Sequence, residues 1–157
     1  MNALALIRHG DLDGNNLSHL GQRQAASLGR QLRDSGGRRQ LEARVLSSPA
    51  PRARQTASAL CSFLGLREPE EDPRLWSGPD GPPGSWEQDL PGLVRKLDEW
   101  SRGTELLVVV THFELCLGLP PLLARKHGLD GVLPRGLRRG QGLWVEGDGG
   151  LWRLLDP

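Results

Sequence analysis

Short apolar runs alternate along the chain with longer stretches in which apolar residues recur every three or four positions. The runs are typical of strands buried on both faces, as in a parallel sheet, and they cover residues 3–7, 43–46 and 105–111. The recurring pattern predicts amphipathic helices at 18–32, from about 49 to 64, at 86–102 and from 114 toward 126. Strands and helices that alternate in this way predict an α/β fold.

Local signals indicate where these helices begin and end. Ser18 and Ser48 are predicted to cap the first and second helices, since a serine hydroxyl can accept from a free backbone amide. Gly36-Gly37 is predicted to end the first helix. Pro120-Pro121 predicts a kink or a restart in the last helix, because proline removes a backbone donor and clashes with the preceding turn.

The rest of the chain is predicted to form a long loop and a hairpin. Residues 67–85 hold five prolines and three glycines, which predicts a loop with a short strand near 74–76. Residues 142–145 and 151–155 flank Gly147-Asp148-Gly149-Gly150, which is a hairpin signal. We therefore predict a three-layer α/β/α sandwich with a mostly parallel central sheet and a C-terminal antiparallel hairpin. A chain of 157 residues is expected to form one domain, 1–157, without a lid domain.

Composition and charge narrow the classes of function. The 20 basic and 19 acidic residues nearly cancel, whereas a nucleic-acid-binding protein usually has a clear basic excess. Cys61 and Cys116 lie among leucines, which favours buried thiols over a disulfide. There is no apolar run of 18 residues, and Arg8-His9 interrupts the N-terminal apolar segment too early for a secretory signal. We expect a cytoplasmic protein that binds neither membranes nor nucleic acid.

Polar residues that can carry chemistry follow three of the predicted strands. They are Arg8-His9-Gly10, then Ser47-Ser48-Pro49 with Arg52, and Thr111-His112. A lone histidine at a strand end is more often a structural residue than a catalyst. In α/β sheets, however, ligands bind beyond the carboxyl ends of the strands, so two histidines and two arginines are expected at one rim.

Three motifs occur in order along the first 112 residues: LIRHG at 6–10, SSPAPRARQTA at 47–57 and VVTH at 109–112. A weaker element, LSHLGQRQA at 17–25, opens the first predicted helix. In order and spacing, these motifs resemble the histidine phosphatase (phosphoglycerate mutase-like) superfamily.

The resemblance implies a phosphatase that works through a covalent intermediate. His9 would attack phosphorus as a neutral imidazole and become a transient phosphohistidine. Arg8 and Arg52 would hold the non-bridging oxygens, and His112 would add a donor as an imidazolium stabilised by the phosphate. Asp11 and Ser18 are assigned to substrate binding with them. The resemblance implies no metal and no cofactor, and the expected partner is a phosphorylated substrate.

One common feature of the superfamily is missing near residue 77. Many members use a carboxylate there, a few residues after a leucine, to protonate the leaving oxygen, but this chain has Ser77. An alkoxide leaves poorly without such an acid, whose help is worth on the order of 10²–10⁴ in rate. The nitrogen of phosphohistidine leaves more readily. The chain is most similar to the SixA-type phosphohistidine phosphatases, which lack this acid, so protein phosphohistidine is the expected substrate.

Other carboxylates leave alternatives open. Asp11, Glu87 and Glu114 are candidate acids. Asp11 has the best position of the three and is equally suited to capping a helix or loop. Glu87 and Glu114 are expected to complement a helix dipole in a first turn, and catalysis is the less favoured interpretation for them. A small-molecule phosphomonoesterase that uses Asp11 or Glu87 is the second hypothesis. A catalytically weak phosphate-binding module is the third. The sequence leaves the physiological substrate, the catalytic rate and the oligomeric state open.

Four further side chains are interpreted more simply. Trp76 and Trp86 bracket the long loop, and we interpret them as residues that anchor it. A surface on which a substrate packs is the less favoured alternative. His19 and His127 are expected to be exposed on helices.

Overall fold

Four helices and eight short strands are present in the part of the chain that the structure describes. The computed structural model describes residues 3–35, 42–77, 89–147 and 150–157. The strands are β1 Ala3–Arg8, β2 Leu12–Asp13, β3 Asn16–Leu17, β4 Ala43–Ser47, β5 Glu70–Glu71, β6 Leu106–Thr111, β7 Gly142–Glu146 and β8 Trp152–Leu155. The helices are α1 His19–Ser35, α2 Pro51–Leu64, α3 Leu90–Trp100 and α4 Phe113–His127, and a 3₁₀ turn covers Pro73–Leu75.

Six strands form one mixed sheet in the order β5-β4-β6-β1-β7-β8. The strands β5, β4, β6 and β1 run parallel, whereas β7 is antiparallel to β1 and β8 is antiparallel to β7. Arg8 is in register with Thr111, and Ser47 is in register with Val110. The carboxyl ends of β1, β4 and β6 therefore meet at one edge of the sheet, and the predicted α/β fold with its terminal hairpin is confirmed.

Alternate residues of β1 face two separate hydrophobic cores. Leu4 and Leu6 pack in the core that also contains buried residues of α3 and α4. Ala5 and Ile7 pack in the core that contains buried residues of α1 and α2. All four side chains are completely buried. The sheet is thus covered by helices on both faces, which confirms the predicted three layers and explains why β1 is apolar at nearly every position.

The N-termini of α1 and α2 are capped in different ways. The hydroxyl of Ser18 accepts a hydrogen bond from the amide of Gly21 at 3.0 Å, which confirms Ser18 as a cap. The prediction that Ser48 caps α2 is wrong, because Ala50 is the N-cap and no side chain among the described residues makes a capping hydrogen bond there. Pro51 at the first helical position has no amide hydrogen, so one fewer donor needs a partner there.

Two other expectations differ from the structure. Residues Phe113–His127 form one helix through Pro120 and Pro121, so the last helix does not restart. Burial of Leu115, Leu119 and Leu123 along this helix stabilises it despite the two missing backbone donors. The predicted strand near 74–76 is wrong, because Pro73–Leu75 is a 3₁₀ turn whose first residues are held by Asp72.

Some predictions fall partly outside the described residues. The helix predicted at 86–102 begins at Leu90, with Asp89 as its N-cap, and residues 86–88 are not described. Gly36-Gly37 and the hairpin residues Asp148-Gly149 also lie outside the described part of the chain.

The small sheet formed by β2 and β3 was not predicted. Cys61 and Cys116 are buried free thiols, as expected. Within the described residues, no helix is both long enough and apolar enough to cross a lipid bilayer.

Candidate active site

His9 and His112 come together at the edge of the sheet where β1 and β6 end. Their ring centroids lie 5.4 Å apart in an edge-to-face arrangement, and both side chains are buried. Arg52, in the first turn of α2, reaches His112, and the charge of Arg8 acts on both imidazoles. The structure thus gathers the two histidines and two arginines that the sequence placed at one rim.

The proton of His9 lies on the nitrogen that faces the backbone. Nδ1 is 2.9 Å from the carbonyl oxygen of Gly10, and a carbonyl can only accept, so Nδ1 carries the hydrogen. Nε2 therefore keeps its lone pair. Burial lowers the pKa of His9 from the ordinary 6.5 to about 4. The charges of Arg52 and Arg8 lower it as well, whereas the hydrogen bond to Gly10 raises it. His9 is neutral near pH 7, as a nucleophile must be.

His112 is also neutral in this arrangement. Nη2 of Arg52 donates to Nδ1 at 3.3 Å, which requires a lone pair there, and Nε2 lies 2.8 Å from the hydroxyl of Ser48. Burial, followed by the charge of Arg52, lowers the pKa of His112 to about 3. The imidazolium expected from the sequence needs a bound phosphate to outweigh these effects, so it stays a prediction.

Arg8 is held in place by the segment that precedes β7. Its Nη1 donates to the carbonyl oxygen of Leu137 at 3.0 Å, and its guanidinium lies 4.9 Å from the ring centroid of Phe113. Burial is the main cause that lowers the pKa of Arg8, but a guanidinium remains charged at any relevant pH. One face of this cation is therefore shielded by an aromatic ring.

Trp76 lies inside the site. Its ring centroid is 5.7 Å from Cζ of Arg52 and 5.9 Å from the ring of His112. The tryptophan contacts one of the phosphate-binding candidates and therefore does more than anchor a loop. Trp76 and Phe113 flank the two arginines as a pair of aromatic walls, an arrangement with no signal in the spacing of the motifs.

Thr56 connects the first motif to the second. Its hydroxyl donates to the carbonyl of Arg52 at 2.8 Å and accepts the amide of Gly10 at 3.1 Å. Gly10 must be glycine here, because a Cβ atom would lie 2.9 Å from the carbonyl oxygen of Gly21. The threonine of the SSPAPRARQTA motif is thus a buried tie between the residue after His9 and the helix that carries Arg52.

Residues 137–141 complete the site, although no sequence motif includes them. The amide of Gly140 donates to the carbonyl oxygens of Arg8 and His9, at 3.2 and 2.9 Å. Arg139 lies close enough for its charge to lower the pKa values of both Arg8 and His9. Arg139 is a third cation beside the predicted pair, and it was missed because no motif includes it.

Asp11 and Ser18 bond to each other. The hydroxyl of Ser18 donates to Oδ2 of Asp11 at 2.8 Å while it caps α1, and Arg139 donates to Oδ1 at 3.4 Å. The hydrogen bond from Ser18, followed in effect by that from Arg139, lowers the pKa of Asp11. A carboxyl with a lowered pKa is a weak proton donor near pH 7. The predicted substrate-binding role of Asp11 and Ser18 stays a prediction.

Ser77 occupies the position where the resemblance calls for a carboxylate, and it contacts one. Its hydroxyl donates to Oε2 of Glu114 at 2.6 Å. Glu114 lies in the first turn of α4, two residues after His112. Glu87 and Trp86, the other candidates named in this region, lie outside the described residues.

The two remaining histidines are remote from this chemistry. His19 is exposed at the start of α1, as expected, whereas His127 is half-buried at the end of α4. Among the described residues, no group of three or more His, Cys, Asp and Glu side chains is arranged to hold a metal ion.

A family comparison agrees with the motifs. The model of the histidine phosphatase superfamily (branch 1) matches residues 4–77, a range that includes Arg8, His9 and Arg52. The resemblance recognised in the sequence is thereby confirmed. A comparison with curated proteins found no match.

Solved structures share the fold along nearly the whole chain. The protein histidine phosphatase SixA complexed with tungstate has a TM-score of 0.67 and 23% identity, over 97% of this chain and 93% of that chain. Mycobacterial glucosyl-3-phosphoglycerate phosphatase has a TM-score of 0.63 and 23% identity, over 98% of this chain and 97% of that chain. A phosphoserine phosphatase mutant from Entamoeba histolytica has a TM-score of 0.61 and 18% identity, over 98% of this chain and 95% of that chain. These likenesses show the fold, and the three proteins act on different phosphorylated compounds according to their names.

Proposed function

We propose that this chain, whose residues 4–77 match the histidine phosphatase superfamily, is a phosphatase that forms a phosphohistidine on His9 and acts on protein phosphohistidine. The observation that carries the proposal is the state of His9. Its Nδ1–H is bonded to Gly10, so the lone pair of Nε2 belongs to a neutral imidazole beside two guanidinium groups.

The reaction has two transfers. Nε2 of His9 forms a bond to phosphorus while the bond from phosphorus to the leaving group breaks. The leaving group takes a proton from the solvent, and the water that attacks in the second transfer returns one to it. Arg8 and Arg52 neutralise the charge that the equatorial oxygens carry in this loose transition state. Water then attacks the phosphoryl group on His9, which releases inorganic phosphate and restores the neutral imidazole.

The expected substrate follows from the leaving group. Ser77 has no carboxyl proton to give, and the nitrogen of phosphohistidine needs less help from an acid than an alkoxide does. The aromatic rings of Trp76 and Phe113, beside Arg52 and Arg8, offer faces against which an imidazole ring can stack. The fold shared with SixA is consistent with this choice.

The test is a substrate panel combined with trapping of the intermediate. We expect hydrolysis of phosphohistidine peptides and phosphoramidate, and acid-labile phosphate on His9 after rapid quenching in alkali. His9→Ala should lose both, and His19→Ala, which changes an exposed histidine, should keep both. Turnover that persists in His9→Ala, or wild-type protein that never becomes phosphorylated, would contradict the proposal.

A further inference from the structure

We infer that Glu114 is the proton donor to the leaving atom, and that the chain therefore also hydrolyses phosphomonoesters, in which that atom is an oxygen. This inference rests on the proposed phosphatase function. It concerns a different step from the attack by His9, so the two can fail separately.

The contact between Ser77 and Glu114 is the first observation. Ser77 is buried, with 5% of its surface exposed, and its hydroxyl donates to Oε2 of Glu114 across 2.6 Å. In other members of the superfamily this position would supply a carboxylate. In this chain the residue at the position, Ser77, orients the carboxylate of Glu114, which belongs to α4. A serine has the size and the donor needed to hold that group.

The position of Glu114 relative to the phosphate-binding cations is the second observation. It projects from the first turn of α4, and the residue that caps this helix is His112. Its charge acts on both Arg8 and Arg52, which come from β1 and α2. A carboxyl group within electrostatic reach of both guanidiniums is near the phosphoryl group that they would bind.

The competing carboxylate is less suited to the task. Asp11 receives hydrogen bonds on both of its oxygens, from Ser18 and from Arg139, whereas Glu114 receives one on Oε2, from Ser77. The side chain of Glu114 is exposed, so it can exchange protons with water between turnovers. Among the acidic side chains that the structure describes, Glu114 best combines electrostatic reach to both arginines with access to solvent.

The proton balance closes over the two transfers. In the first, the carboxyl of Glu114 gives its proton to the oxygen that leaves phosphorus, and the alcohol departs while His9 takes the phosphoryl group. In the second, the carboxylate takes a proton from water as the water oxygen bonds to phosphorus. Inorganic phosphate leaves, and His9 and Glu114 return to their starting states.

The test compares leaving groups of different basicity. Glu114→Gln should lower kcat/KM for an alkyl phosphate such as phosphoserine by on the order of 10²–10⁴. The loss should be at least tenfold smaller for 4-nitrophenyl phosphate and for phosphoramidate, because their leaving groups need less help. Glu99→Gln, at the end of α3, is the matched control and should behave as wild type on all three. Unfolding in urea checks that both variants are folded.

A pH profile and a rescue variant separate a catalytic role from a structural one. A proton donor must be protonated, so a decrease of kcat/KM for phosphoserine with rising pH in the wild type should be absent in Glu114→Gln. The charged groups that interact with Glu114 are Arg8 and Arg52. The double variant Ser77→Glu with Glu114→Gln returns a carboxylate to the loop and should recover at least tenfold of the lost rate.

Three results would overturn the inference. They are no hydrolysis of phosphoserine by wild type, an equal loss on all three substrates in Glu114→Gln, and an unchanged rate on phosphoserine in that variant. None of them touches the proposed function, which fails instead if phosphoramidate hydrolysis survives in His9→Ala.

Discussion

Nη2 of Arg52 and Nδ1 of His112 lie 3.3 Å apart, and this contact links the protonation of the imidazole to the charge of the guanidinium. A proton on Nδ1 would face a cation that can only donate. The pair therefore keeps His112 neutral and keeps Arg52 pointing across the site. Two residues that come from different strand ends thus constrain each other before any substrate is bound.

Removal of this charge should make His112 easier to protonate. Arg52→Gln is expected to raise the pKa of His112 above about 3, because the charge of Arg52 is the second largest cause of its lowering. Burial, the largest cause, remains, so the pKa should stay below 6.5. An NMR titration of the imidazole measures the change. Arg54→Gln, on the same helix and paired with Glu71 at the surface, should leave the titration unaltered.

Stability should decrease between about pH 6.5 and pH 4. The folded protein holds His9 neutral down to about 4, whereas the unfolded chain binds a proton near 6.5. The unfolded state therefore binds more protons in this window, and the free energy of unfolding falls as pH falls. At about 1.4 kcal/mol per unit of pKa difference, His9 alone contributes on the order of 3 kcal/mol.

Urea denaturation at several pH values between 7 and 4 measures this loss. His9→Gln should reduce the dependence by the part that His9 contributes, because its side chain does not titrate, and the part that comes from His112 should remain. His19→Gln serves as the control, since His19 is exposed, and should follow the wild-type curve. A wild-type stability that is constant across the window would contradict a neutral His9.

Thr56→Val should cost both stability and activity. The change removes the acceptor for the buried amide of Gly10 and the donor to the carbonyl of Arg52, at nearly constant volume. An unsatisfied buried donor costs about 1–3 kcal/mol. Ser62→Ala is the matched control, because the exposed Ser62 bonds to a carbonyl of the same helix. Equal urea midpoints for Thr56→Val and Ser62→Ala would show that the hydrogen bonds of Thr56 do not stabilise the fold.

The two glycines on the inner face of α1 should differ in their response to alanine. A Cβ on Gly21 would lie 2.2 Å from the backbone oxygen of Asp11, whereas one on Gly29 would meet the ring of Phe63 at 2.4 Å. Both substitutions favour the helix by up to about 1 kcal/mol. A backbone cannot rotate away as a side chain can, so Gly21→Ala should unfold at a clearly lower urea concentration than Gly29→Ala.

Continuous or periodic apolar segments made much of the fold predictable. The strands β1 and β6 are apolar except at their last residues because helices cover both faces of the sheet, and α1 has a buried residue every three or four positions. The site residues His9 and His112 could be placed together because parallel strands end at a common edge.

Contacts that join distant segments without a motif were not predictable. Arg139 reaches the site only because β7 pairs with β1, and the sequence does not encode that pairing locally. From the sequence alone, Ser77 indicates only that the usual acid is missing. Its hydrogen bond to Glu114 depends on the position of α4 in the fold. Trp76 was interpreted as an anchor because its distance to Arg52 depends on a loop with no periodicity.

The bond from Arg8 to the carbonyl of Leu137 joins residues 129 positions apart, and it determines when the site can form during synthesis. The ribosome delivers β1 first, but its two neighbours in the sheet, β6 and β7, emerge much later. Pairing over such separations is slow because a long loop must close first. In a nascent chain, one edge of this apolar strand therefore stays unpaired until β6 has emerged, and the other until β7 has emerged. An apolar strand with an unpaired edge is prone to aggregate, so the pairing that positions the nucleophile also exposes the growing chain to aggregation.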